Sequence, residues 1–205
     1  MAKGTYNETV TITRSDLIIE GGWINESGIW KRYLPVSPDE TTVRGGVIHV
    51  ENASDVVIKD IASDGGLYAN NADNLQLRNA LMLGLTSVEI QESDDVLIEG
   101  TKIIGVSEDD SARGLILKNS TIEVIQSTIR AEAVGLRVRG NCGGRIFGNV
   151  IHVQNISTPG YGIRLETSVD NGVHIENNVI YMQIMQGLGS VAIEERGTRA
   201  APSAL

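Results

Sequence analysis

Cationic and acidic side chains recur at alternate positions of short apolar segments in this sequence. Arg137 and Arg139 flank Val138, and His49 and Glu51 are spaced in the same way. Side chains two residues apart on a β-strand share one face. The residues of this pattern, which we expect on the outer face of one sheet, are His49, Glu51, Tyr68, Glu89, Lys118, Arg137, Arg139 and Arg164. Guanidinium groups pair with carboxylates through two parallel hydrogen bonds, so this face is a candidate binding surface for an acidic sugar chain.

A repeated unit must position these residues. It consists of an apolar–x–apolar strand, a polar turn, a second such strand, another turn and an apolar closing residue, and it is clearest over residues 162–180. The apolar anchors of the second strand are Ile19, Ile58, Leu77, Ile98, Val124, Ile146 and Ile175. The residues five positions after each anchor are Ile24, Ser63, Met82, Ile103, Ile129, Ile151 and Ile180. A unit of this kind cannot bury its apolar face alone, which is typical of a solenoid.

The sequence therefore predicts an all-β protein, a right-handed parallel β-helix of about seven coils. Parallel pairing at about 4.8 Å would stack the inward side chains into one aliphatic column. The strict hexapeptide period of left-handed β-helices is missing, and the coils vary in length through insertions at 25–45, 104–113 and 152–161. We expect each insertion between a closing residue and the next first strand. Loops beside a rigid sheet are common binding surfaces.

The turns of the repeat are rich in Asn and Gly, which tolerate left-handed backbone. The turn positions after the second strand are Gly21, Asp60, Asn79, Gly100, Gln126, Gly148 and Asn177. Those after the first strand are Asn52, Asn71, Glu92, Asn119, Gly140 and Thr167. We expect a structural role for these residues, with amide ladders running from coil to coil.

Composition excludes several classes of partner. The net charge of −9 disfavours nucleic acid, which demands a basic surface. No apolar run reaches the length of a membrane span, and no signal peptide is visible. Cys142 is the single cysteine, so no intramolecular disulfide forms. We predict one β-helix domain over residues 1–198, a fragment of a longer protein, followed by a disordered tail at 199–205. Uncapped terminal coils would allow end-to-end or self-association.

Residues 47–60 and 162–182 resemble the parallel β-helix repeats of the pectate-lyase-like superfamily. Residues 4–12, 21–23, 30–32 and 40–43 resemble the first coils of bacterial secreted β-helix proteins. The resemblance covers nearly the whole chain and implies a secreted or cell-surface location. It does not imply one activity, because the repeat occurs in lyases, hydrolases, epimerases and non-enzymatic surface proteins.

Our leading functional hypothesis is a non-catalytic module, structural or carbohydrate-binding. The alternative is a polysaccharide lyase or glycoside hydrolase that acts on an acidic polysaccharide, with Arg137 or Arg164 as the base of a lyase. The signatures of lyases, the paired aspartates of polygalacturonase-like hydrolases and the Asp-Pro-His-Asp motif of mannuronan epimerases are not visible. We predict no cofactor and leave open Ca²⁺, whose candidate ligands are Glu89 and the acidic loop Glu108, Asp109 and Asp110. His49, His152 and His174 lie in different coils, so no zinc site is predicted.

Overall fold

The computed structural model describes residues 1–107, 111–155, 160–166, 172–184 and 190–195. The tail predicted at 199–205 lies outside these residues. Within them the chain forms three parallel sheets, a two-stranded hairpin and one short 3-10 helix, Pro38–Glu40. No helix in this part of the chain is long and apolar enough to span a membrane.

The three sheets are named in the order in which the chain first enters them. The strands of the first sheet, in spatial order, are β1 (Gly4–Tyr6), β6 (Thr41–Val43), β9 (Ala62–Ser63), β12 (Leu81–Gly84), β15 (Lys102–Gly105), β18 (Thr128–Ala131), β21 (Val150–Asn155) and β24 (Val179–Ile184). Those of the second sheet are β2 (Val10–Ile12), β7 (Ile48–Glu51), β10 (Leu67–Asn70), β13 (Thr86–Gln91), β16 (Arg113–Lys118), β19 (Val134–Arg139), β22 (Gly160–Glu166) and β25 (Ser190–Glu195). Those of the third sheet are β3 (Leu17–Glu20), β8 (Val56–Lys59), β11 (Gln76–Arg78), β14 (Val96–Glu99), β17 (Thr121–Ile125), β20 (Gly143–Phe147) and β23 (Gly172–Glu176).

This topology is a parallel β-helix, as predicted, with about eight coils. Each coil contributes one strand to each sheet in turn, and each strand pairs in parallel with its counterpart in the next coil. The sequence-based count of about seven came from anchors in the third sheet, which has seven strands among the described residues, whereas the other two sheets have eight.

The core is the predicted aliphatic column. All seven third-sheet anchors, from Ile19 to Ile175, are successive register partners. The five middle anchors, from Ile58 to Ile146, are completely buried. Burying one such side chain is worth about 1.5–3 kcal/mol, so the stacked column is the main source of stability.

One closing residue and one insertion differ from the prediction. Ile24 does not enter the core, because it pairs with Lys31 in an antiparallel hairpin of β4 (Trp23–Glu26) and β5 (Ile29–Arg32). Val43 takes the closing position instead and lies in register with Ser63. The first insertion therefore precedes the first-sheet strand of its coil rather than following it. Arg32 holds the hairpin to the solenoid by donating from Nε to the carbonyl of Gly21 at 2.9 Å.

The turn columns adopt the expected left-handed backbone. After the second strand, φ is positive from Asp60 to Asn177 in every predicted position, while in the first coil Gly22 has positive φ in place of Gly21. After the first strand, φ is positive from Asn52 to Gly140, and Thr167 lies outside the described residues. The amide ladder also forms, for example from Asn71 Nδ2 to Asn52 Oδ1 at 2.9 Å.

The glycine that opens the repeat has a packing role at the corner between the first and second sheets. Gly114, Gly135 and Gly162 lie one above another in the second sheet. A Cβ on Gly135 would lie 2.5 Å from Cγ2 of Ile151 and 2.7 Å from the carbonyl oxygen of Gly162. The space of the missing side chain is thus filled by an inward isoleucine of the first sheet.

We expect Gly135→Ala to lower the free energy of unfolding by about 1–3 kcal/mol, since an extra carbon in a close-packed interior forces its neighbours apart. Gly172→Ala is the matched control, because Gly172 is exposed and a Cβ there would have no atom within 4 Å. Urea unfolding followed by circular dichroism measures both variants. Equal midpoints for the two would contradict the packing role.

Candidate functional site

The outer face of the second sheet carries all eight residues predicted for it, in two columns that follow the strand register. The first column is Thr11, His49, Tyr68, Glu89, Ile116, Arg137, Arg164 and Glu194. The second is Glu51, Asn70, Gln91, Lys118, Arg139 and Glu166. We call this surface the polar face.

Ile116 divides the polar face into two parts. It points outward yet is only 5% exposed, between Glu89 on one side and Arg137 on the other. The acidic half before it contains His49, Glu51, Tyr68 and Glu89. The basic half after it contains Lys118, Arg137, Arg139 and Arg164, together with Glu166 and Glu194.

Glu166 organises the basic half by pairing with three arginines. Arg137 donates to it from Nε at 3.0 Å and from Nη2 at 2.7 Å. Arg139 Nε lies 3.3 Å from Oε2 of Glu166, and Arg164 Nε lies 2.9 Å from Oε1. Among the described residues, the Arg137 contacts have hydrogen-bond geometry, and charge-assisted hydrogen bonds are short and directional. The carboxylate thus sets the orientation of Arg137 and attracts the other two guanidinium groups by charge.

Two further residues fix Arg164. Its Nε lies 3.0 Å from Oε2 of Glu194 in the last described strand. Its guanidinium carbon lies 4.6 Å from the centroid of the Tyr161 ring, a cation–π geometry. Arg164 is therefore a supporting residue inside the network.

The arginines keep Glu166 ionised. Burial on its own would raise the pKa of Glu166, but hydrogen bonds from Arg137 and the charges of Arg137, Arg164 and Arg139 hold that pKa below its ordinary value of 4.5. A carboxyl group in this state does not act as a proton donor near neutral pH. Its role is to hold the guanidinium groups in place.

The solvent-facing cations of the basic half are Lys118 and Arg139. Their side chains are 45% and 50% exposed, whereas that of Arg137 is 15% exposed. They are register neighbours and lie along a shallow cleft of about 520 Å³. The cleft is lined by Glu89, Gln91, Lys118, Asn119, Arg139, Gly140 and Glu166.

The acidic half has an aromatic floor. The rings of His49 and Tyr68 lie 5.6 Å apart between centroids, at an interplanar angle of 54°. Burial, and then the charges of Glu89 and Glu51, raise the pKa of Tyr68 above its usual value. The phenol thus stays protonated at neutral pH and keeps a hydrogen-bond donor on this surface. Glu89 accepts a hydrogen bond from the amide of Gln91 in its own strand.

The residues predicted as a lyase base lie within the described structure, whereas most of the predicted calcium ligands do not. Arg137 and Arg164 are both engaged in ion pairs with Glu166, and their side chains are 15% and 18% exposed, so neither guanidinium group faces the solvent as a free base would. Asp109 and Asp110, with Glu108, lie outside the described residues. Within the described ranges, no three His, Cys, Asp or Glu side chains meet as a metal site.

The sequence predicts Glu166 on the outer face without marking it as a site residue, and it does not indicate Glu194 or Tyr161, the other two residues that shape the basic half. Glu166 falls in the second outward column, and its spacing from Arg164 was a usable signal. Glu194 occupies the next rung of the first column, but no complete repeat follows it to reveal the register. Tyr161 lies near the start of β22, and the alternation of inward and outward residues does not indicate its contact with Arg164.

The fold and this surface define a parallel β-helix protein with a charge-divided polar face. No family model matches the chain, and no curated protein matches it. An alginate lyase from Paenibacillus sp. str. FPU-7 is similar over 97% of this chain and 91% of that chain, with 10% identity and a TM-score of 0.45. The Agl-KA catalytic domain is similar over 96% of this chain, with 13% identity and a TM-score of 0.41. The similarity covers 42% of that second chain.

We expect Glu166→Gln to lower the free energy of unfolding at neutral pH by about 1–3 kcal/mol, because hydrogen bonds from charged donors are lost. Since folding lowers the pKa of Glu166, the stability it supplies is complete above its ordinary pKa of 4.5 and is lost as the pH falls through the lowered value. The difference between wild type and variant should therefore narrow in acid.

Thermal unfolding at a series of pH values measures this difference. Glu123→Gln is the control, because Glu123 is exposed on the outer face of the third sheet and has no ion pair among the described residues. A gap between wild type and Glu166→Gln that stays constant down to the acid limit would refute the assignment.

Proposed function

We propose that the polar face binds an acidic polysaccharide, and that Lys118 and Arg139 contact the carboxylates of its uronate units. The observation that carries this proposal is the pair of exposed cations on neighbouring rungs of the cleft. Neighbouring rungs are about 4.8 Å apart, which is similar to the length of one sugar unit. A uronate bound over these two rungs can thus present its carboxylate to both cations.

Arg139 is prepared for such a contact. Its Nε faces Glu166, and the remaining guanidinium nitrogens are the ones available to a ligand. Holding the side chain in place before binding reduces the entropy lost on association. The interaction is still electrostatic and exposed, so salt would weaken it.

The distribution of charge in the basic half also favours a negatively charged ligand. In the basic half, Arg137, Arg139 and Arg164 share the carboxylates of Glu166 and Glu194, while Lys118 lies 4.0 Å from a carboxylate oxygen of Glu92, so four cations face three described carboxylates. This local excess of positive charge stands out on a chain of net charge −9. The cleft is also lined by Glu89 and Glu166, so the attraction for an anionic ligand comes from the two exposed cations at their own rungs and not from the cleft as a whole. A uronate polymer fits this requirement, whereas a neutral glucan does not.

We expect the double variant Lys118→Ala/Arg139→Ala to bind oligomannuronate or oligogalacturonate at least about tenfold more weakly, since two charge-assisted hydrogen bonds are lost. Isothermal titration calorimetry measures the affinity. Arg145→Ala is the control, because Arg145 is 45% exposed and paired with Glu176 at 2.9 Å, but on the third sheet. Undiminished affinity in the double variant, with wild-type binding present, would overturn the proposal.

A second candidate function, uronate β-elimination, is favoured by the position of Glu89 in the same cleft as Lys118 and Arg139. In that reaction Glu89 would take the proton from C5 of the uronate while the cations neutralise its carboxylate. The C4–oxygen bond would break as the C4–C5 double bond forms, and the departing oxygen would take a proton from water.

This second function has its own assay. The unsaturated product absorbs in the ultraviolet, so wild type should generate absorbance from a uronate polymer. Glu89→Gln should abolish product formation and leave binding measurable. A wild-type protein that binds the polymer without releasing product would exclude the lyase and retain the binding function.

A further inference from the structure

The acidic half of the polar face has a different binding chemistry from the basic half. Glu51 and Glu89 have no ion pair with a cationic side chain among the described residues, and both lie close enough to Tyr68 to raise its pKa. A uronate placed over His49 and Tyr68 would meet this negative charge without Lys118 and Arg139 beside it, whereas a uronate in the cleft next to Glu89 has both cations. Like-charge contacts across an interface are strongly unfavourable, so the unit bound in this half should be uncharged.

The aromatic floor suits an uncharged sugar. The Tyr68 and His49 rings are partly exposed and tilted against each other. Aromatic rings supply apolar contact area with few rotatable bonds, which matches the C–H face of a sugar ring. The Glu51 and Glu89 carboxylates can accept hydrogen bonds from sugar hydroxyls.

The separation between the halves is set by the coil spacing. Along the axis, Tyr68 lies two rungs from Lys118 and three rungs from Arg139. At about 4.8 Å per rung, these separations are about 10 and 14 Å. A single linear ligand would therefore place its uncharged and charged units two or three sugars apart.

We propose that the polar face selects a linear polysaccharide in which uronates are separated by uncharged sugars, with an uncharged unit over His49 and Tyr68 and a uronate at Lys118 and Arg139. This inference rests on the proposed function, because it assigns the polymer class to the same surface. It differs from that function in its consequence: a continuous polyuronate is a poorer ligand than a sparsely charged chain. Selection of this kind depends on a repulsive element as well as on an attractive one.

The experiment compares octasaccharides from deacylated gellan, which has one glucuronate in each tetrasaccharide repeat, with octamers of mannuronate. For the wild-type chain we expect gellan octasaccharides to bind about tenfold more tightly, because the mannuronate octamer brings carboxylates to the acidic half. Glu51→Gln should tighten mannuronate binding severalfold and should not improve gellan binding. Tyr68→Ala should weaken gellan binding, and Tyr68→Phe should largely restore it.

Glu123→Gln is the matched control for charge, since it removes a carboxylate from a different sheet and should leave the ratio of the two affinities unchanged. Equal or tighter binding of the mannuronate octamer by wild type, unaffected by Glu51→Gln, would overturn this inference and leave the proposed function standing. Failure of both oligosaccharides to bind would overturn the proposed function and the inference together. Unfolding curves of every variant establish that each one is folded.

Discussion

The register between successive coils is the constraint on which the rest of the structure depends. Parallel pairing places Ile58, Leu77, Ile98 and Val124 directly above one another. A slip of one residue in any strand would turn its apolar side chains outward. The same register aligns the outward side chains, because inward and outward positions alternate along each strand. The polar face is thus built by the packing that stabilises the core.

The periodicity of the sequence made the coil register predictable. The core anchors, the outward columns and the positive φ values follow from repeats of residue type, and the structure confirms them. The prediction that Ile24 closes the first coil was wrong. The hairpin from Trp23 to Arg32 has its own alternation of apolar and polar residues, and this alternation matches the pattern of the repeat. Sequence spacing cannot show that the chain leaves the solenoid and re-enters it at Thr41, the first residue of β6. An insertion is visible as extra length, but its position within the coil depends on three-dimensional contacts.

The ion pairs of the polar face were harder to predict from the sequence than the positions of its charged residues. Alternation places Arg137, Arg164 and Glu166 on one face, but it gives no rotamers. The sequence therefore showed a strip of separate cations, whereas the structure shows guanidinium groups gathered around one carboxylate. This gathering changes the chemistry, since a guanidinium group that is already paired with a carboxylate is less accessible to a ligand. It also separates a supporting layer from the exposed pair, Lys118 and Arg139.

The binding that we propose for the polar face depends on the fixed positions of its side chains, because the backbone beneath them is rigid. Tyr68 lies between the buried residues Leu67 and Ala69, whose contacts belong to the core. The backbone under the face therefore has little freedom to adjust, because close-packed interiors transmit strain. The charges therefore stay at fixed positions along the axis, and in the binding that we propose a polymer is selected by the spacing of its own charges. Outward side chains can change without disturbing the inward column. One solenoid can therefore carry many different arrangements of outward charges, and the fold alone does not determine the ligand.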